Sequence, residues 1–159
     1  MSYFYISREA LDKMKAELHE LKSEKRPEIS RLISEARDFG DLKENAEYHA
    51  AKEKMALLED KITQLEEKIR RARVIDPKQI SGEHVSLYTT VVMKDLKRNQ
   101  EVSYTLVSQE ESDFRHFKIS VVSPVGKALL GKKVGEVVDI KVPAGLLKYE
   151  ILDISPANL

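Results

Sequence analysis

Two stretches of apolar residues, spaced alternately three and four apart and separated by one short turn-like segment, limit what the N-terminal half can become. The first seam runs Leu11, Met14, Leu18 and Leu21; the second runs Tyr48, Ala51, Met55, Leu58, Ile62, Leu65, Ile69 and Ala72. Between them lies Asp38-Phe39-Gly40-Asp41-Leu42-Lys43-Glu44-Asn45. Apolar positions repeating every 3.5 residues bury against a partner helix, so two such seams joined by a glycine-containing turn predict an antiparallel coiled-coil hairpin. About 30 residues at 1.5 Å each give an arm on the order of 45 Å long. Its apex carries acidic residues.

The first seam falls out of register near Pro27. It resumes at Ile29, Leu32 or Ile33, and Ala36, one residue late. Such a stutter, with a proline that cannot donate a backbone hydrogen bond, predicts a local distortion there. Ser7 is the expected N-cap of the first helix. We read residues 1–76 as the hairpin, 77–82 as a linker marked by Asp76-Pro77 and Ser81-Gly82, and 83–159 as a second domain. In the latter the apolar period changes to two. Val85–Met93, Glu101–Val107, Lys118–Val121, Glu136–Val142 and Leu146–Ile154 read as strands rich in Val, Ile, Thr and Tyr. Ser123 as N-cap, Pro124 at the first helical position and Gly131 as stop predict one short helix. The fold class is therefore α+β: a helical hairpin, then a small antiparallel sheet around a short helix.

Charge narrows the function classes. Lys plus Arg equals Asp plus Glu at 27 each, so any nucleic-acid contact must come from a local patch and not from overall charge. Charged residues make up 34% of the chain, as expected of a protruding coiled coil whose surface is mostly in water. The absence of cysteine excludes a disulfide framework and thiol chemistry and fits a reducing compartment. No apolar run reaches the roughly 18 residues needed to span a bilayer, and the N-terminus lacks the pattern of a signal peptide. We expect a soluble cytoplasmic protein with no membrane partner.

The chemistry-bearing residues cluster at the apex, and each has two readings. Asp41 and Glu44 have capping-box spacing, with Asp41 as N-cap of the second helix and Glu44 reaching back. The same carboxylates have spare lone pairs for a water or a metal. Two carboxylates do not complete a Mg²⁺ shell, so such a site would be finished by a partner. Arg31, Arg37, Lys43 and Lys52 are either a solvated flank interspersed with acids or a patch for phosphates. His49 has no second His or Cys at ligand spacing and reads as an exposed helix residue. Tyr48 lies on the seam. No glycine-rich phosphate loop or Ser-His-Asp arrangement is present.

Two runs carry a resemblance. The apical run Glu35-Ala36-Arg37-Asp38-Phe39-Gly40-Asp41-Leu42-Lys43-Glu44-Asn45-Ala46-Glu47-Tyr48-His49-Ala50-Ala51-Lys52 resembles the tip of bacterial transcript cleavage factors of the Gre type. Ile119-Ser120-Val121-Val122-Ser123-Pro124-Val125-Gly126-Lys127-Ala128-Leu129-Leu130-Gly131-Lys132, then Val142-Pro143-Ala144-Gly145 and Tyr149-Glu150-Ile151, resemble the same family's C-terminal domain. The resemblance covers essentially the whole chain. It implies that the C-terminal domain is FKBP-like and docks at the secondary channel of RNA polymerase, while the coiled coil threads toward the active site. It implies that Asp41 and Glu44 help hold a Mg²⁺ of the polymerase, and its water, as the polymerase cuts a backtracked RNA 3′ end. It implies that Arg37 and Lys52 contact that RNA and that Ser123 and Pro124 meet the polymerase.

On this reading the chain is a monomeric accessory with no cofactor of its own and no free-standing enzymatic activity. Two positions depart from the family pattern. Val122 stands where many relatives carry Asn or Asp, and Lys52 stands where some carry Arg, which binds phosphate bidentately. The alternative reading is an inhibitory relative that fills the same channel without promoting cleavage; such relatives alter the tip acids. A prolyl isomerase would need an aromatic-lined pocket, but the chain has no Trp and its C-terminal half is poor in aromatics. A structural adaptor would not need the apical run.

Overall fold

The computed structural model describes residues 2–41 and 45–159. Along the chain run β1 (Phe4–Ile6), α1 (Arg8–Glu20), a π-helical turn (Leu21–Lys25), α2 (Arg26–Arg37), α3 (Ala46–Arg71), β2 (Ala72–Val74), β3 (Thr89–Asp95), β4 (Gln100–Val107), β5 (Lys118–Ser120), α4 (Pro124–Leu129), β6 (Val137–Val142) and β7 (Gly145–Pro156). They form two compact units. One is Arg8–Arg73 with the residues ahead of Phe4; the other is Phe4–Ser7 with Val74–Leu159.

The first unit is a helical hairpin. Leu11, Met14, Leu21 and Ala36 on one arm, and Tyr48, Ala51, Leu58, Ile62 and Leu65 on the other, are buried along the seam. The stutter takes the form of the π-helical turn. Arg26 donates its backbone N–H to Leu21 O, five residues back, so one extra residue is absorbed and the seam shifts by the amount the sequence requires. The wider turn also places Pro27 at the start of α2, where its missing N–H costs little. Cross-arm ion pairs follow the antiparallel run. Arg26 meets Glu59 bidentately at 2.7 and 2.9 Å, Lys22 meets Glu66 at 3.2 Å, and Lys61 meets Glu17 at 3.5 Å. Pairing with Glu59 raises the Arg26 pKa, and pairing with Arg26 lowers that of Glu59. These pairs are solvated, so they set register more than they add stability.

The second unit is a five-stranded sheet in the order β5-β4-β3-β7-β6. Val91 and Met93 from β3, Leu106 from β4, Val138 and Ile140 from β6, and Tyr149 and Ile151 from β7 line one face, with Leu129 of α4 packed into the same cluster. A bulge between Val92 and Met93 shifts the β3–β7 register and bends the sheet. Two expectations change. The sheet is not wholly antiparallel, because β4 and β5 run parallel; the connection between them, Ser108–Phe117, includes two short 3₁₀ turns. The strand expected from Val85 begins only at Thr89. Tyr88, buried at φ 62, breaks the extended run, and the Thr89 hydroxyl closes a turn by donating to Ser86 O at 2.7 Å. Val85 still bonds through its backbone, to Gly131 and Lys132.

The N-terminal strand belongs to this unit. Ile6 is fully buried, and Ile75 N–H donates to Ile6 O at 3.0 Å. The Glu111 carboxylate gathers the hydroxyls of Ser7, Tyr88 and Ser108. Among the described residues no helix is long and apolar enough to cross a membrane.

Candidate functional site

α2 ends in a chain of backbone bonds: Asp38 N–H to Glu35 O and Phe39 N–H to Ala36 O, both at 3.2 Å. Gly40 follows at φ +119, a conformation that side-chain-bearing residues rarely adopt. This reversal delivers an exposed Phe39 and an exposed Asp41 to the apex. Glu44, the second acid expected there, lies outside the described residues, as do Leu42 and Lys43.

Asp41 is not the N-cap of α3, and the capping box expected with Glu44 lies outside the described residues. α3 starts at Ala46 and its N-cap is Asn45, whose Oδ1 accepts from Tyr48 N–H at 3.0 Å. Its Nδ2 donates to Ala36 O at 2.5 Å. Asn caps as well as Asp does, and only its amide can both accept from one helix and donate to the other. The sequence signal was there, since Asn45 stands immediately before the second seam.

The structure brings Arg37 and Lys52 together. The Arg37 guanidinium lies 5.9 Å and the Lys52 ammonium 5.5 Å from the centroid of the Tyr48 ring, within cation–π range. Tyr48 is 8% exposed, so its ring is a fixed base for two solvent-facing cations. The interaction with Arg37 and then the charge of Lys52 lower the Tyr48 pKa from its ordinary value, against the raising effect of burial. The Tyr48 ring also meets His49 edge-on at 5.6 Å. Arg31 has another engagement: its Nη1 pairs with Glu35 Oε1 at 2.7 Å.

In the second unit, Ser123 does what its position predicts. Its Oγ accepts from Gly126 N–H at 3.0 Å and donates to Ser120 O at 2.6 Å. Pro124 opens α4 and is exposed. A Cβ on Gly126 would run into the Ser120 carbonyl oxygen, so glycine is what lets α4 lie this close to β5. Val122 leaves half its surface in solvent, an apolar group beside the exposed helix start.

Comparison with known proteins decides the family. The N-terminal model described as "Transcription elongation factor, N-terminal" matches residues 4–74. That described as "Transcription elongation factor, GreA/GreB, C-term" matches residues 80–156. The chain belongs to the GreA/GreB family of transcription elongation factors. The transcription elongation factor GreA of Chloroherpeton thalassium is 50% identical over 150 residues, covering 94% of this chain and 95% of that protein. GreA of Amoebophilus asiaticus is 50% identical over 151 residues, covering 95% and 96%. The solved structure of GreA factor homolog 1 (Gfh1) of Thermus thermophilus is 27% identical, covers 96% of this chain and 99% of that one, and has a TM-score of 0.44.

For a GreA/GreB family member, the residues singled out in the sequence fall into three groups. Arg37 and Lys52 share one tyrosine ring. Asp41 stands exposed in the turn between the two arms. Ser123 and Pro124 form the capped start of α4 in the sheet unit. Among the described residues no three His, Asp or Glu side chains converge to hold a metal ion. The Asp41 carboxylate is a hard oxygen donor of the kind Mg²⁺ prefers, and one carboxylate does not complete a cation shell.

Proposed function

We propose that this elongation factor binds RNA polymerase, inserts the hairpin into the secondary channel and stimulates the polymerase's own Mg²⁺-dependent cleavage of backtracked RNA 3′ ends, without being an enzyme itself. The observation that carries this reading is the apex, where an exposed acid stands in the turn that joins two arms carrying a fixed pair of cations. Asp41, with Glu44 in the same role, adds carboxylate oxygens to a Mg²⁺ that the polymerase supplies. Such a metal activates water and offsets charge in phosphoryl displacement. The carboxylates also accept a proton-side hydrogen bond from the attacking water and so orient it. Arg37 and Lys52 grip phosphates of the extruded RNA. The shared contact with Tyr48 reduces the side-chain freedom that each cation loses on binding.

Ser123 and Pro124 would present the polymerase-docking edge, working as a monomer in the compartment where transcription occurs, the cytoplasm. The test is a stalled, backtracked elongation complex incubated with the protein and Mg²⁺, with RNA length read on a gel. Shortened RNA that the polymerase then extends is the expected result. Inhibited extension with no shortening would favour the inhibitory secondary-channel reading.

A further inference from the structure

A second surface, remote in sequence from the apex, carries aromatic and basic side chains in alternation: Phe114-Arg115-His116-Phe117-Lys118. Phe114 and Phe117 are 76% and 60% exposed. Both rings lie 6.3 Å from the ring of Tyr104, tilted by 51°, so three aromatics form one cluster at the β4–β5 edge of the sheet. Phe117 sits at φ 56, ψ 34. Asn or Gly holds a left-handed residue at lower cost than an aromatic does. Burial does not offset that cost, because the ring is mostly in solvent. Packing against Tyr104 offsets part of the cost and leaves most of the ring open to a partner.

The cations are placed to act with the rings. Arg115 and Lys118 are exposed, and neither side chain is in an ion pair among the described residues. The neighbouring acid is already engaged: the Asp113 carboxylate meets His116 Nδ1 at 2.6 Å and accepts from Arg115 N–H at 3.1 Å. We propose that Tyr104, Phe114 and Phe117, with Arg115 and Lys118, form a stacking platform for single-stranded nucleic acid. Exposed rings stack on bases of any sequence, and adjacent cations meet the phosphates between them. An acidic peptide would use the cations and leave the rings idle. An apolar partner would use the rings and desolvate the cations.

The test needs no polymerase and does not depend on the role of the apex. A labelled single-stranded RNA of about 12 nucleotides, within the span such platforms cover, is titrated with the full-length protein, and Kd is followed by fluorescence anisotropy at several salt concentrations. Phe117→Asn with Phe114→Ser should weaken binding by about tenfold or more, as expected for two lost stacking partners. Phe117→Asn alone should leave thermal unfolding unchanged or raise its midpoint, since it relieves the left-handed residue. Arg115→Gln with Lys118→Gln should flatten the log–log salt dependence by about 1.4, at ~0.7 per phosphate. The proposal is overturned if wild type does not bind, if only Arg37→Ala with Lys52→Ala weakens binding, or if polyglutamate of equal charge competes as well as unlabelled RNA.

Discussion

Asn45 donates its side-chain amide to the Ala36 carbonyl at 2.5 Å, tying the start of α3 to the last turn of α2. With its other atom it caps α3 through Tyr48 N–H. A single residue thus meets one of the open donors of α3 and adds a second bond to a carbonyl in the last turn of α2, which already accepts from Phe39 N–H. Asn45→Ala removes both bonds and should lower stability by about 1 kcal/mol, the usual cost of a lost N-cap. Asn45→Asp keeps the acceptor and loses the donor, so its urea midpoint should fall between wild type and Asn45→Ala. Equal midpoints for Asp and Ala would show that the cap adds nothing and that the bond to Ala36 carries the effect.

The cation pair on Tyr48 gives a salt-dependent signature. Arg37→Ala with Lys52→Ala should weaken crosslinking to the RNA 3′ end in backtracked complexes. It should also reduce the log–log salt slope by about 0.7 per lost phosphate contact on this single-stranded RNA. Tyr48→Leu leaves both charges but removes the ring that holds them, and should weaken crosslinking with little change of slope. A slope unchanged in the double variant would return these residues to the role of a solvated flank.

Stability should fall in alkali, and Tyr88 is the main reason. Burial, followed by the hydrogen bond to Glu111 and its charge, pushes the Tyr88 hydroxyl well above its ordinary value; burial does the same to Tyr149. A raised folded-state pKa stabilises fully below the unfolded value of about 10 and is lost as pH rises beyond it. Tyr48 shifts the opposite way, so it opposes the trend. From pH 10 upward, Tyr88 should contribute a slope of up to about 1.4 kcal/mol per pH unit. Urea unfolding between pH 9 and 11 checks this: Tyr88→Phe should be less stable at neutral pH but flatter in alkali, and an identical alkaline slope would refute the assignment.

Much of this fold can be read from period alone. The 3.5-residue seams specify the hairpin, and the one-residue slip before Ile29 becomes the π-helical turn that precedes Pro27. Ser123 and Pro124 announce α4 because capping is local chemistry. Non-local features are less visible. The parallel β4–β5 pairing depends on the path of Ser108–Phe117 through space. The convergence of Ser7, Tyr88 and Ser108 on Glu111 spans more than a hundred residues. At the apex, carboxylate spacing favours Asp41 as the cap, but the amide of Asn45 satisfies two helices where a carboxylate satisfies one.

The helix start in the sheet unit should be intolerant of added volume. Gly126→Ala drives a methyl into the Ser120 carbonyl and should cost about 1–3 kcal/mol, the range for overpacking. Pro124→Glu changes only an exposed position and should leave the melting temperature near wild type while weakening competition for polymerase. If Pro124→Glu competes as well as wild type, the docking surface lies elsewhere.

The most direct test of the central claim is cleavage by a backtracked complex with the full-length Asp41→Asn, Glu44→Gln double variant, at several Mg²⁺ concentrations and at saturating protein. The variant should bind polymerase like wild type and cut at least about tenfold more slowly, because only support for the metal and water in the transition state is lost. Raising Mg²⁺ should restore part of the rate. Cleavage at the wild-type rate at every Mg²⁺ concentration would contradict the account, because the acids would then have no part in the chemistry.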